Sequence, residues 1–105
     1  MRIAINGFGR IGRIFFRLAF GKENLDIVAI NDLSEIENLA YLLKYDTVYG
    51  RYDKNVEVKE NKLIIEGREV LVLKEADPSK LPWKDLNIDL VVEATGFFTE
   101  FEKAK

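Results

Sequence analysis

The stretch Ala4-Ile5-Asn6-Gly7-Phe8-Gly9-Arg10-Ile11-Gly12-Arg13 decides the reading of this chain. Before it, Arg2 to Asn6 (RIAIN) is a short apolar run rich in β-branched residues that stops at a glycine cluster, the pattern of a buried strand. After it the period changes. Ile11, Ile14, Phe15, Leu18 and Ala19 fall at i, i+3, i+4, i+7 and i+8, which predicts one apolar helix face, and Gly21 supplies a C-terminal stop. Between strand and helix, Gly7, Gly9 and Gly12 read G-x-G-x-x-G. That pattern alone is common, but here Asp32 also stands about twenty residues beyond Gly12, at the end of the next strand-like run.

Each of these residues has a physical task in a dinucleotide site. Gly7 permits a tight turn, Gly9 lacks a Cβ so that the backbone can approach a pyrophosphate, and Gly12 lets the helix pack closely on the strand. The anion then faces the positive helix end, where N–H groups have no acceptor within the helix. Arg10 and Arg13 add positive charge nearby. Asp32 is placed to accept hydrogen bonds from the adenosine ribose, each charge-assisted and worth roughly 1.5–3 kcal/mol. It also selects the cofactor. A 2′-phosphate about 4 Å from that carboxylate would be repelled by roughly 4 kcal/mol at an effective dielectric near 20, so NAD is expected over NADP. The competing readings are a plain strand-to-helix turn for the glycines and a turn-capping role for Asp32.

The rest of the chain continues an α/β order. Asp26 to Asn31 (DIVAIN) suits a parallel strand covered on both faces, and Ser34 with Glu37 has the spacing of a capping box. The helix after it carries Ile36, Leu39, Ala40 and Leu43 on one face and ends near Lys44, where Tyr45 to Arg51 turns without a period. Residues 55–73 alternate as a small antiparallel meander, with turns at Asn61-Lys62 and Glu66-Gly67-Arg68. Asp77-Pro78 and Leu81-Pro82 punctuate a connector in which Trp83 is expected to plug the core. Asp89 to Ala94 (DLVVEA) is another buried parallel strand closed by Thr95-Gly96. Thr99 and Glu102 repeat the capping-box spacing, which predicts a helix just before Lys105. The expected fold is thus a partial, Rossmann-like doubly wound parallel sheet with a meander at one side, residues 1–105 forming an incomplete domain.

An open parallel sheet binds its ligand at the carboxyl ends of its strands. Thr95 and Gly96 lie there, as ligand contacts or as a strand-ending turn. Asn6 and Asn31 stand at strand ends on the same crevice, where local capping explains them as well as ligand contact does.

Composition limits the alternatives. The net charge of −2 gives no field for nucleic acid or an anionic membrane, and no apolar run or leader-like segment suggests a membrane span or export, so a cytoplasmic protein is expected. The absence of cysteine and histidine removes disulfides, thiol nucleophiles and imidazole bases together.

The quoted stretch resembles, almost letter for letter, the opening of the glyceraldehyde-3-phosphate dehydrogenases. Ala29-Ile30-Asn31-Asp32-Leu33, Leu43-Lys44-Tyr45-Asp46-Thr47-Val48-Tyr49-Gly50-Arg51 and Glu93-Ala94-Thr95-Gly96-Phe97-Phe98 resemble the family's later stretches in the same order. The likeness covers essentially this whole chain but only the first part of a family member. It implies that Phe8, Gly9, Arg10 and Ile11 line the pyrophosphate, Arg10 and Ile11 largely through backbone, that Asp32 holds the ribose, and that Thr95 and Gly96 lie towards the nicotinamide. Ala76 stands where many relatives carry an arginine near the adenine, and Phe97 replaces a commonly polar residue. The family's chemistry uses a cysteine and a histidine that this chain lacks, and its complete members are homo-oligomers. Two other readings stay open: a fragment of an erythrose-4-phosphate dehydrogenase, or a non-catalytic split subunit that docks a partner through an open sheet edge.

Overall fold

Why Arg2–Asn6 becomes the central strand follows from its alternation. Ile3 and Ile5 point to one side of the sheet, Ala4 points to the other, and all three are fully buried. The computed structural model describes residues 1–46, 50, 51, 54–94 and 100–103, with backbone alone at 46, 50, 51, 78 and 100–103. The predicted contacts Thr95 and Gly96 lie outside the described residues.

The elements in chain order are β1 (Arg2–Asn6), α1 (Arg10–Ala19), β2 (Asp26–Asn31), α2 (Ile36–Lys44), β3 (Tyr45–Asp46), β4 (Gly50–Arg51), β5 (Val56–Lys59), β6 (Lys62–Ile65), β7 (Arg68–Leu73), a 3-10 turn (Pro78–Lys80), β8 (Leu90–Glu93) and β9 (Glu100–Lys103). Among the described residues, seven strands form one sheet in the order β5-β6-β7-β2-β1-β8-β9. β7, β2, β1 and β8 run parallel, while β5-β6-β7 is the antiparallel meander and β9 returns antiparallel to β8. The last meander strand therefore enters the parallel sheet itself. Four carboxyl strand ends consequently lie side by side, which is what a crevice for an extended ligand requires.

Both helices cover one face. Ile3, Ile5, Ile27 and Ile30 meet Phe16, Leu39 and Leu43 there, together with Val56, Leu63, Ile65 and Val70 from the meander. The other face is covered by the connector, whose Trp83, Leu86 and Ile88 pack on Ala4, Ala29 and Val91. Trp83 thus fills the role expected of it. The alternation in β2 breaks at Val28 and Ala29, which both face the connector side, and the register against β1 slips at the same place.

Three sequence expectations are corrected. The core-facing stripe of α1 is Gly12, Phe16 and Ala19, whereas Ile11 and Leu18 are 42% and 67% exposed. Consecutive helix positions differ by about 100°, and two neighbouring phenylalanines make either stripe legible in sequence. Gly12 decides between them: a Cβ there would lie 2.4 Å from the Gly7 carbonyl oxygen and 3.2 Å from Ile5 Cγ2, so it faces the strand. The capping box at Ser34 and Glu37 does not form. Glu35, not Ser34, occupies the cap position of α2 and makes no side-chain cap bond, and the Ser34 N–H that Glu37 would have accepted from is taken by Asp32 Oδ1 at 2.9 Å. The helix predicted before Lys105 is instead β9, pairing Glu100 with Glu93 and Lys103 with Leu90. A capping pattern is a local signal, and an unpaired edge of β8 offers a full ladder of backbone bonds in its place. Tyr45 to Arg51, read as an irregular turn, also contains the short ladder of β3 and β4.

Candidate functional site

The glycine loop connects the end of β1 to the start of α1, and it is tethered to β2 at two consecutive residues. The Gly7 N–H donates to the Asn31 carbonyl at 2.7 Å. The Phe8 N–H donates to Asp32 Oδ2, also at 2.7 Å. Gly7 sits at φ 94°, in the left-handed region that favours glycine. Arg13, one turn into α1, donates from Nη1 to the Phe8 carbonyl at 3.2 Å and closes the loop from the helix side.

Phe8 itself points inward. Its side chain is 1% exposed and meets Phe16 edge-on with centroids 5.7 Å apart, so it anchors the loop and offers no surface to a ligand. The exposed tip is Gly9, Arg10 and Ile11. Gly9 is the N-cap of α1 and makes no side-chain cap bond, and the first intrahelical bond in the turn runs from Arg13 N–H to the Gly9 carbonyl at 2.9 Å. The N–H groups of Arg10, Ile11 and Gly12 therefore precede the helical ladder and have no acceptor within it. No acidic residue occupies that first turn. A Cβ built on Gly9 meets nothing within 4 Å, so the space above the loop is open just where an anion would approach. Gly9 and Gly12 thus serve opposite needs, one open space and the other close packing.

Asp32 stands where the sequence placed it, at the tip of β2 and turned towards the loop. Its two carboxylate oxygens each accept one backbone N–H, from Phe8 and from Ser34. An ionised carboxylate has about four acceptor sites, so capacity for two hydroxyl groups remains. These donors also fix its rotamer before any ligand arrives. Next to it, Leu33 is 63% exposed and offers no positive charge for a phosphate.

Below the loop runs a polar relay that the sequence did not disclose. Glu93 Oε2 at the end of β8 accepts from Asn6 Nδ2 at 2.9 Å. Asn6 Oδ1 accepts from Asn31 Nδ2, again at 2.9 Å. Asn31 then bonds the backbone of Glu75 twice, Nδ2 to the carbonyl and Oδ1 from the N–H, each at 2.9 Å. Asn6 and Asn31 are 8% and 5% exposed, the two buried polar residues of the described core. Both amide protons of Asn31, a candidate cofactor contact, are thus donated inside the protein, its Oδ1 accepts from Glu75, and its backbone carbonyl holds the loop. Glu75 and Glu93 escaped notice because nothing in sequence spacing links them to Asn6. The one available signal was Glu93 itself, a charge directly after the apolar Leu90-Val91-Val92.

Further along, Asp77 Oδ1 accepts from both the hydroxyl and the N–H of Ser79, at 2.8 and 3.0 Å. These bonds, the hydroxyl first, hold the Asp77 carboxyl below its usual range. Ala76, beside it, is exposed and carries no charge. Among the described residues, no group of three or more acidic, histidine or cysteine side chains is arranged to hold a metal ion.

A sheet with a parallel centre of β7, β2, β1 and β8, a glycine loop opening into a helix, and a carboxylate at the adjacent strand tip define a Rossmann-type dinucleotide-binding domain. The comparisons are specific. The family described as glyceraldehyde 3-phosphate dehydrogenase, NAD binding domain, matches residues 1–101, and the chain belongs to it. Glyceraldehyde-3-phosphate dehydrogenase of Thermotoga maritima is 55% identical across 99% of this chain and 32% of its own length. The Clostridium acetobutylicum enzyme is 55% identical across 99% of the chain and 31% of itself. Glyceraldehyde-3-phosphate dehydrogenase 2 of Bacillus subtilis is 52% identical with the same shares. The chain thus spans about a third of the length of these relatives. No described helix is long and apolar enough to cross a membrane.

Proposed function

We propose that this chain is the cofactor-holding part of a phosphorylating glyceraldehyde-3-phosphate dehydrogenase. In that role Gly9, Arg10 and Ile11 receive the pyrophosphate on their backbone N–H groups, with Gly7, Phe8 and Gly12 shaping the loop. Asp32 accepts the adenosine ribose hydroxyls, Asn31 fixes the loop through its carbonyl, and Thr95 and Gly96 lie towards the nicotinamide. The bound NAD supplies the hydride acceptor for oxidation of an aldehyde in the complete enzyme. This chain contributes binding and orientation only, since it has neither thiol nor imidazole. The cytoplasm as its location and a homo-oligomeric complete enzyme belong to the same reading.

The observation that carries the proposal is the Phe8 N–H to Asp32 bond, which fixes the ribose carboxylate beside an open helix start. Calorimetric titration of the chain tests it. NAD is expected to bind, and NADP at least about tenfold more weakly, a modest part of the roughly 4 kcal/mol repulsion expected between carboxylate and 2′-phosphate. Equal affinities would remove the role given to Asp32, and no heat with NAD would remove the assignment.

A further inference from the structure

We propose that Glu93 and Asn6 are positioning residues for the dinucleotide. The relay they begin keeps the loop-bearing tip of β1 in place between β8 and β2, and the inference rests on the NAD-binding reading above.

The argument is one of donor and acceptor polarity. Asn31 meets the Glu75 backbone through both ends of its amide, which fixes which end is oxygen and which is nitrogen. Its Nδ2 can then offer only a proton to Asn6, so Asn6 must turn Oδ1 towards it and Nδ2 towards β8. An ionised carboxylate only accepts, and Glu93 supplies that acceptor. Every amide orientation in the relay is thereby determined, from the backbone after β7 to the side chain at the end of β8. The backbone follows the same path: Ala94 N–H donates to the Asn6 carbonyl at 2.8 Å, Gly7 N–H to the Asn31 carbonyl at 2.7 Å, and Asp32 N–H to the Leu73 carbonyl at 2.9 Å. The side-chain relay therefore runs alongside the bonds that set the loop and Asp32. Its two asparagines are buried in a polar layer directly under the crevice, where a broken bond leaves a costly unpaired group. None of the four residues needs to touch the ligand.

Moving the charge one step along the relay, from position 93 to position 6, separates this role from simple packing. Asn6→Asp replaces the amide donor with a second carboxyl group facing Glu93, and Glu93→Gln in the same chain then restores an amide donor, now from position 93 to position 6. The double variant has the wild-type net charge and the wild-type number of bonds. NAD affinity of the full chain is measured by calorimetry at a temperature where circular dichroism shows each variant folded. Asn6→Asp is expected to bind NAD at least about tenfold more weakly, and the double variant to recover most of that loss. Wild-type affinity in Asn6→Asp, or a double variant as weak as the single one, would overturn the proposal. Should Asn6→Asp not fold, Glu93→Ala takes its place, removing the acceptor without adding charge. A fivefold or greater loss in it supports the role, and wild-type affinity overturns it. A wild-type chain that binds no NAD defeats the cofactor reading itself, whereas unchanged affinity in the variants of a binding chain defeats only the relay.

Discussion

At the scale of single residues, the three glycines of the loop are not interchangeable. Gly12 stands where a Cβ would meet backbone oxygen at 2.4 Å, an overlap no side-chain motion can relieve. Replacing a helical glycine by alanine normally stabilises by up to about 1 kcal/mol, but overpacking here costs about 1–3 kcal/mol and should win. Gly9→Ala meets no atom and keeps an ordinary φ of −79°, so its stability should stay within about 0.5 kcal/mol of wild type. Its methyl group would instead occupy the anion's approach. The expected outcome is a dissociation, with urea unfolding reporting the loss in Gly12→Ala and NAD titration reporting the loss in Gly9→Ala. Asp77 gives a test of a different kind. Its carboxyl is held below the ordinary value of 3.8 by Ser79, so the cap on the following turn persists at neutral pH and is lost as pH falls through the lowered value. A carbon-detected NMR titration should find its midpoint below 3.8, moving upward in Ser79→Ala.

At the scale of elements, the orientation of α1 shows how a close approach overrules an apolar pattern. Both the stripe through Ile11 and Leu18 and the stripe through Gly12 and Phe16 satisfy helical spacing. Only the second places a residue without a Cβ against β1. The two are separable by mutation. Phe16→Ala removes a side chain that is fully buried and stacks on Phe20 at 5.1 Å, and should cost about 3–5 kcal/mol. Leu18→Gln alters a side chain 67% exposed and should remain within about 0.5 kcal/mol. Chemical denaturation of both variants gives the answer, and a large loss in Leu18→Gln would mean that the helix face is wrongly assigned. α1 also supports its neighbour, since the Arg17 guanidinium reaches the Leu43 carbonyl in the last turn of α2, where a positive charge complements the helix end.

At the scale of the whole molecule, the sheet is a device for bringing distant parts of the chain to one line. Asn6, Asn31, Glu75 and Glu93 are spread over most of the sequence, yet consecutive hydrogen bonds of 2.9 Å connect them. Binding across that line should stabilise the folded chain as a unit. At NAD a hundredfold above its Kd the gain is about 2.7 kcal/mol, which for a domain near this size corresponds to roughly 10–20 °C in Tm. NADP at the same concentration should shift Tm much less. The same preparation should produce no NADH from glyceraldehyde 3-phosphate, NAD and phosphate, because no cysteine or histidine is present to form and deprotonate the covalent adduct. Robust NADH production by the pure chain would refute that division of labour.

What could be read from the sequence were the features whose cause is local. The strand before Gly7, the turn itself, the helix after it and Asp32 at the next strand's end all follow from short-range patterns, because φ > 0, β-branching and helical period act within a few residues. The meander of residues 55–73 was legible for the same reason. What tertiary structure alone decided were choices between local patterns of equal quality. Gly7 and Ile5 set which face of α1 turns inward, the edge of β8 turns Glu100–Lys103 into a strand, and Asp32 takes the Ser34 N–H that a capping box would have used. The relay from Glu93 to Glu75 belongs to this second kind entirely. Hydrogen-bond partners far apart in sequence are chosen by strand order, and strand order is fixed by how the whole sheet buries its two faces.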